Sequence, residues 1–177
     1  LKYQYTDKEL KELLDSVVIL IDTRENQWKH IDDYFIRKKI PYKGQKLDFG
    51  DYSAMLPACP ELGIQRDMYF TNDIVIERKA SLDELAGNLT KDRIRFESEL
   101  IRAYKSKLFL MVENPNGYSD IVSHKYRSQY EPKSFIGTLF TFQSRYNINT
   151  HFTSKELAGF FIAQTLLYHV RERLKGG

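Results

Sequence analysis

Residues 74–83 read IVIERKASLD, so that three β-branched apolar residues run directly into Glu77, Arg78 and Lys79, and Asp83 follows four positions later. Side chains of a strand alternate between its faces, which puts Glu77 and Lys79 on one face and Arg78 on the other. A carboxylate and an ammonium side by side at a strand end can serve hydrolysis: the first coordinates a divalent cation, the second orients or helps deprotonate an attacking water. One carboxylate is too few for a hard ion such as Mg2+, which takes several oxygens and keeps waters and substrate phosphate in its shell. Further acids stand at two other element ends. Asp51 lies in Phe49-Gly50-Asp51-Tyr52, where the glycine permits a sharp bend, and Asp22 closes the apolar run Val17–Ile21 with Thr23, Arg24 and Glu25 behind it. Each of these also has a plainer reading. Glu77 and Lys79 could form a strand-edge ion pair, Asp83 could serve the first turn of a helix, Gly50-Asp51 could be an ordinary turn, and Arg24 and Glu25 could belong to a helix entrance.

The elements that must bring these positions together follow from the hydrophobic pattern. Thr6-Asp7-Lys8-Glu9 is a capping box opening a helix to about Asp15, an N-terminal extension (residues 1–15) to a single domain over 16–177. Val17–Ile21 is continuously apolar, as in strands buried on both faces, and Trp28, Ile31, Tyr34 and Phe35 recur at helical steps within 26–39, ahead of Pro41. Residues 42–56 suggest a hairpin, with Tyr52, Ala54 and Leu56 alternating, and 57–72 a loop or a longer excursion of it. Ile74–Lys79 is a strand. Ser81-Leu82-Asp83-Glu84 caps a helix that breaks near Gly87-Asn88 and resumes over 90–105. Residues 107–112 form another strand, 118–133 read as either a loop or a short helix, 134–145 as a helix and 148–151 as a strand. Thr153-Ser154-Lys155-Glu156 caps a long last helix. This alternation predicts an α/β protein with a mixed sheet covered by helices.

Composition sets the outer limits. Hydrophobic residues make up 42% of the 177 and charged residues 29%, a globular balance, and the net charge of +3 with a pI near 8.8 permits a polyanionic partner. Cys59 is the only cysteine, so no intrachain disulfide forms, and a reducing compartment is suitable. No apolar run approaches the length of a membrane span, and residues 1–5 do not open a signal peptide. The expectation is therefore a protein of the cytoplasm, in a prokaryote or a phage-infected cell, or of the nucleus, with no membrane partner and no small-molecule substrate. His30, His124, His151 and His169 sit in different elements, which gives a zinc site no support.

Taken together, Asp22-Thr23-Arg24-Glu25, Gly50-Asp51-Tyr52 and Glu77-Arg78-Lys79-Ala80-Ser81-Leu82-Asp83 resemble the nuclease domain of the XPF family of structure-specific DNA endonucleases, relatives of the archaeal Hef nuclease. The family signature is Gly-Asp followed by Glu-Arg-Lys-x-x-x-Asp, and its second half is present without a gap. The resemblance covers roughly residues 16–172. It implies a restriction-endonuclease-like (PD-(D/E)XK) three-layer fold and hydrolysis of DNA phosphodiesters with Mg2+ or Mn2+. On this resemblance Asp51 and Glu77 are metal ligands, Asp22 and Glu25 are acidic supports or further ligands, and Lys79 positions the water. Arg24, Arg78, Lys91, Arg93 and Arg95 face DNA, and Asp83 stands behind the site. The sequence departs from the pattern at Asp92-Arg93, where the family carries Gly-Arg, and the tandem helix-hairpin-helix module that usually follows the domain is not among these residues. The substrate implied is branched or flapped DNA. A Holliday-junction resolvase or a phage or plasmid recombination nuclease is the alternative within the same chemistry, and a non-catalytic DNA-binding or dimerisation partner the alternative outside it.

Two further patches bear on partners. Lys91, Arg93, Arg95, Arg102, Lys105 and Lys107 crowd one helix and its exit, and Lys125, Tyr126, Arg127 and Tyr130 form a basic-aromatic group; both read as phosphate contacts or as solvated surface. Leu157, Phe160, Phe161, Leu167 and Tyr168 form a stripe on the last helix that reads as core or as a subunit interface, and the family resemblance implies a homodimer through this region.

Overall fold

A computed structural model describes residues 4–176 of the chain. In chain order its elements are α1 (Asp7–Asp15), β1 (Val18–Ile21), α2 (Lys29–Lys38), β2 (Tyr42–Gly44), β3 (Tyr52–Leu56), β4 (Met68–Tyr69) and β5 (Ile74–Lys79). There follow α3 (Leu82–Leu89), α4 (Arg93–Ala103), β6 (Lys107–Glu113), α5 (Tyr118–Val122), α6 (Pro132–Tyr146), β7 (Ile148–Thr153) and α7 (Ala158–Leu174). They fall into two compact units: the chain up to Leu47 with Asp51–Ile74 and the residues from Gly159 onward make one, and Asp48–Gly50 with Val75–Ala158 make the other.

In the first unit β1 is central. β2 pairs with it in parallel, Ile19 opposite Tyr42, and β3 pairs with it antiparallel on its other side, Ile19 opposite Ala54. The expected hairpin between residues 42 and 56 is therefore not formed. Two partners suit a strand whose Ile19, Leu20 and Ile21 are almost wholly buried, since a single partner would leave one row of its backbone groups unpaired. The excursion after β3 is a hairpin: β4 returns antiparallel, Met55 opposite Tyr69, and Leu62, Ile64 and Phe70 from it are buried. The capping box at Thr6 and Glu9 is present, and α1 buries Leu10 and Leu13. Helix α2 starts at Lys29 rather than near residue 26, because Gln27 holds a positive φ of 54° ahead of it.

In the second unit β5, β6 and β7 are neighbours, with β6 and β7 parallel, and α3 packs against α4 and α6. Its core is Val75, Leu85, Phe96, Leu110, Val112, Phe135, Leu139 and Phe142 with their neighbours. Ser81 accepts from the Glu84 N–H as the capping sequence requires, but the helix runs through Gly87-Asn88 and stops at Leu89, so the break lies two residues beyond the expected one. The ambiguous stretch resolves into α5, a turn, and α6 beginning at Pro132, where the missing N–H of proline costs nothing. The last helix is preceded by a 3-10 turn at Lys155–Leu157, and Thr153 does not cap it. On α7 the buried stripe is Ile162, Ala163, Leu166 and Val170, whereas Phe160 and Tyr168 are 48% and 59% exposed; Leu157, in the 3-10 turn, is 54% exposed. Among the described residues no helix is long and apolar enough to cross a membrane.

Candidate active site

The strand β5 is buried along its whole length, charged end included: Glu77, Arg78 and Lys79 are 8%, 7% and 5% exposed. Burying charge is costly unless it is paired, and each of the three is paired. Lys79 Nζ donates to Glu77 Oε1 at 2.6 Å, so the two share a face as strand alternation requires. Arg78, on the opposite face, grips Glu113 at the end of β6 with two bonds, Nε to Oε1 at 2.7 Å and Nη2 to Oε2 at 3.2 Å. Its guanidinium is thus a buried strut between β5 and β6 rather than an exposed cation. Glu113 lies outside the sequence-derived site, although an acid closing the apolar run KLFLMVE carries the same signal as Asp22 and Glu77.

Helix α4 closes over the pair. Phe96 lies beneath Lys79, whose Nζ is 5.0 Å from the ring centroid, a cation–π contact in a desolvated place. One turn on, Glu99 is half-buried. Burial first, and then the negative charge of Glu77, push its carboxyl above the ordinary carboxylate range. The spacing of three from Phe96 puts Glu99 on the same side of the helix, a signal present in the sequence. Arg93 sits 5.2 Å over the Phe142 ring and pairs with Glu97 at 3.4 Å, docking α4 on α6, while Lys91 and Arg95 point to solvent. Asp83 accepts from the backbone N–H groups of Arg127 at 2.8 Å and Ser128 at 2.7 Å.

Glycine 50 belongs to this unit as well. It holds φ at +72°, and a Cβ there would stand 2.9 Å from Val75 Cβ and 3.4 Å from the Ile76 carbonyl. Only glycine allows the chain to lie this close to β5 one residue before Asp51.

In the first unit Asp22 is 3% exposed and both its oxygens are in use. Oδ1 accepts from Arg24 N–H at 2.9 Å and Arg24 Nε at 2.7 Å, while Oδ2 accepts from Arg24 Nη2 at 3.1 Å and Leu47 N–H at 2.7 Å. Burial alone would raise its pKa, but the bonds from the Arg24 side chain and from the Leu47 and Arg24 N–H groups prevail and hold it below the ordinary value. Arg24 stays 63% exposed beyond this pair. Asp22 N–H donates to the Asp51 carbonyl at 2.8 Å, and Glu25, half-buried, turns back to accept from Asn26 N–H at 2.9 Å. Asp51 itself is half-buried at the start of β3.

Two observations bear on a metal. Among the described residues no three His, Cys, Asp or Glu side chains are gathered so as to hold an ion between them. Glu77 has one oxygen on Lys79, and its Oε2 has no hydrogen bond to any described residue and is not sealed from solvent. A carboxylate oxygen of this kind suits a hard ion that draws the rest of its shell from water and phosphate.

Residues 21–163 match the family model described as the ERCC4 domain. The chain belongs to the ERCC4 domain family. Among solved structures, XPF from the archaeon Aeropyrum pernix matches with a TM-score of 0.61 at 20% identity, over 90% of this chain and 67% of that one. The same protein in complex with DNA matches with a TM-score of 0.62 at 21% identity, over 89% and 66%. This chain therefore spans about two thirds of those chains and shares their α/β, restriction-endonuclease-like nuclease-domain fold. No curated protein matches the sequence.

Proposed function

We propose that this ERCC4-domain protein is a divalent-metal-dependent DNA endonuclease that cuts branched or flapped DNA. The observation that carries the reading is the buried Glu77–Lys79 pair at the end of β5, an arrangement costly to stability that hydrolysis would justify. The DNA complex of the A. pernix protein supports DNA as the partner here. Glu77 and Asp51 are the proposed ligands of Mg2+ or Mn2+, with Asp22 and Glu25 as acidic supports; Asp22, fully engaged by Arg24 and Leu47, serves by shaping the strand end.

The bound ion would supply Lewis acidity at the scissile phosphate. Lys79, held over Phe96 and against Glu77, would orient a water toward phosphorus, and its positive charge favours the developing phosphorane negative charge. As the water oxygen bonds phosphorus and the bridging P–O bond breaks, the water proton passes to solvent or a nearby base and the leaving oxygen is protonated in turn. Lys91, Arg95 and Arg24, all exposed, would neutralise flanking phosphates, and Arg93, its side chain 43% exposed, would do so as well. The exposed Phe160 and Tyr168 support a homodimer through the C-terminal helix.

Labelled flap, forked, four-way and linear duplex DNA, incubated with the protein with and without Mg2+ or Mn2+, test this. Cutting of a branched form only with metal is expected, lost in Glu77→Gln and Lys79→Ala while DNA binding persists. Cutting by Lys79→Ala at the parent rate would remove Lys79 from the mechanism, and no cutting of any substrate would refute the enzyme.

A further inference from the structure

Asp83 lies four residues beyond Lys79, in the first turn of α3, and its carboxylate is spent on a distant stretch of backbone. Oδ1 takes the consecutive N–H groups of Arg127 and Ser128 at 2.8 and 2.7 Å, and Oδ2 stands 3.4 Å from Arg127 Nε. Two successive N–H groups turned toward one anion form a small concave nest, here filled by the protein itself. The inner side of the turn is committed in the same way. His124 holds a positive φ of 51°, stacks on Tyr126 at 4.4 Å and contacts the Ser128 carbonyl through Nε2 at 2.8 Å. Tyr126 donates to the Tyr130 carbonyl at 2.6 Å, and the rings of Tyr126 and Tyr130 pack on the buried Phe135 at 5.3 and 5.5 Å. What remains outside is cationic: the side chains of Lys125 and Arg127 are 67% and 92% exposed.

We propose that the turn 124–130 is a preformed clamp for the DNA sugar-phosphate backbone, and that Asp83 is its positioning residue, fixing Lys125 and Arg127 relative to the strand that ends in Lys79. The inference rests on the endonuclease reading above and adds a binding element to it. A turn whose backbone is already ordered loses little entropy on binding, so Lys125, 3.9 Å from Asp120, and Arg127, 3.4 Å from Asp83, can offer their exposed ends to phosphate without first ordering the chain. The partner is the backbone rather than the bases, because the two tyrosine rings of the turn are turned inward onto Phe135 and the His124 ring lies stacked on Tyr126.

Affinity for a fluorescein-labelled forked duplex, measured against salt concentration with Ca2+ in place of Mg2+, tests the clamp. Lys125→Ala/Arg127→Ala should lower affinity about tenfold near 0.1 M salt and flatten the slope of log K against log[salt] by roughly 0.9 for each lost phosphate contact. Asp83→Ala should flatten the slope likewise and speed tryptic cleavage after Lys125 and Arg127. Asp83→Asn keeps an oxygen for both N–H groups and should retain the parent slope. A double variant with the parent affinity and slope overturns the clamp while leaving the endonuclease reading intact. Asp83→Ala with lowered thermal stability but an unchanged slope overturns the positioning role. A parent protein that binds no DNA at all overturns the endonuclease reading and the clamp with it.

Discussion

At the scale of single residues, the charged end of β5 works through pairing. Lys79 and Glu77 are each almost fully buried, so removing one leaves the other as an uncompensated charge, which typically costs about 3–5 kcal/mol. Lys79→Met is expected to lower the unfolding free energy read from urea denaturation by an amount in that range, and Glu77→Gln added to it should recover most of the stability with no recovery of cutting. Equal midpoints for the single and double variants would show that the pair is not coupled. Asp22 answers to pH. Its folded pKa lies below the ordinary 3.8, so its ionised form stabilises the fold above that pH, and the contribution disappears as pH falls through the folded value. Denaturation of the parent and of Asp22→Asn should therefore differ by a constant amount between pH 5 and 7, and the gap should begin to narrow below about pH 3.8 and close as the pH falls through the folded value. A gap that did not narrow at all as the pH fell below 3.8 would assign the effect to shape rather than to charge.

At the scale of elements, close approach decides what the site residues rest on. Gly50 touches β5 where any side chain would meet Val75 Cβ at 2.9 Å, and its φ of +72° is unfavourable to other residues. Gly50→Ala should destabilise the protein by roughly 1–3 kcal/mol, combining the strain of that conformation with overpacking. Thermal melting reads the loss. A fall in cutting larger than the fraction unfolded explains would further indicate that the 48–51 segment supports the site. Helix α4 acts as the lid on Lys79 through Phe96, while the Arg93–Phe142 contact keeps α4 on α6. In the other unit β1 takes partners on both sides, and Asp22 at its end binds the Leu47 N–H and so holds the chain leaving β2.

For the molecule as a whole, the open question of assembly lies on α7. Phe160 and Tyr168 carry large apolar surface into solvent while Ile162, Leu166 and Val170 serve the interior. If this surface joins two copies, Phe160→Asp shifts the sedimentation coefficient from dimer to monomer at micromolar concentration and leaves the circular dichroism spectrum unaltered. A parent that sediments as a monomer at every concentration would dispose of the homodimer.

Much of this was legible in the chain itself. The apolar run into Glu77-Arg78-Lys79 marked both the strand and its chemistry, and period-two alternation sufficed to put Glu77 beside Lys79 and Arg78 away from them. The capping boxes at Thr6 and Ser81 likewise announced their helices, since both signals are local and need only the residues that carry them. Pairing partners are not local. That β2 and β3 flank β1 instead of pairing together, that Arg78 spends its charge on Glu113, that Glu99 comes within electrostatic reach of Glu77, and that Asp83 holds the backbone of residues 127 and 128 are matters of distance between segments far apart in sequence. Periodicity states which face a side chain occupies. Only the folded chain determines what stands opposite that face, because the partner is selected by the packing of the entire unit and not by any property of the residue alone.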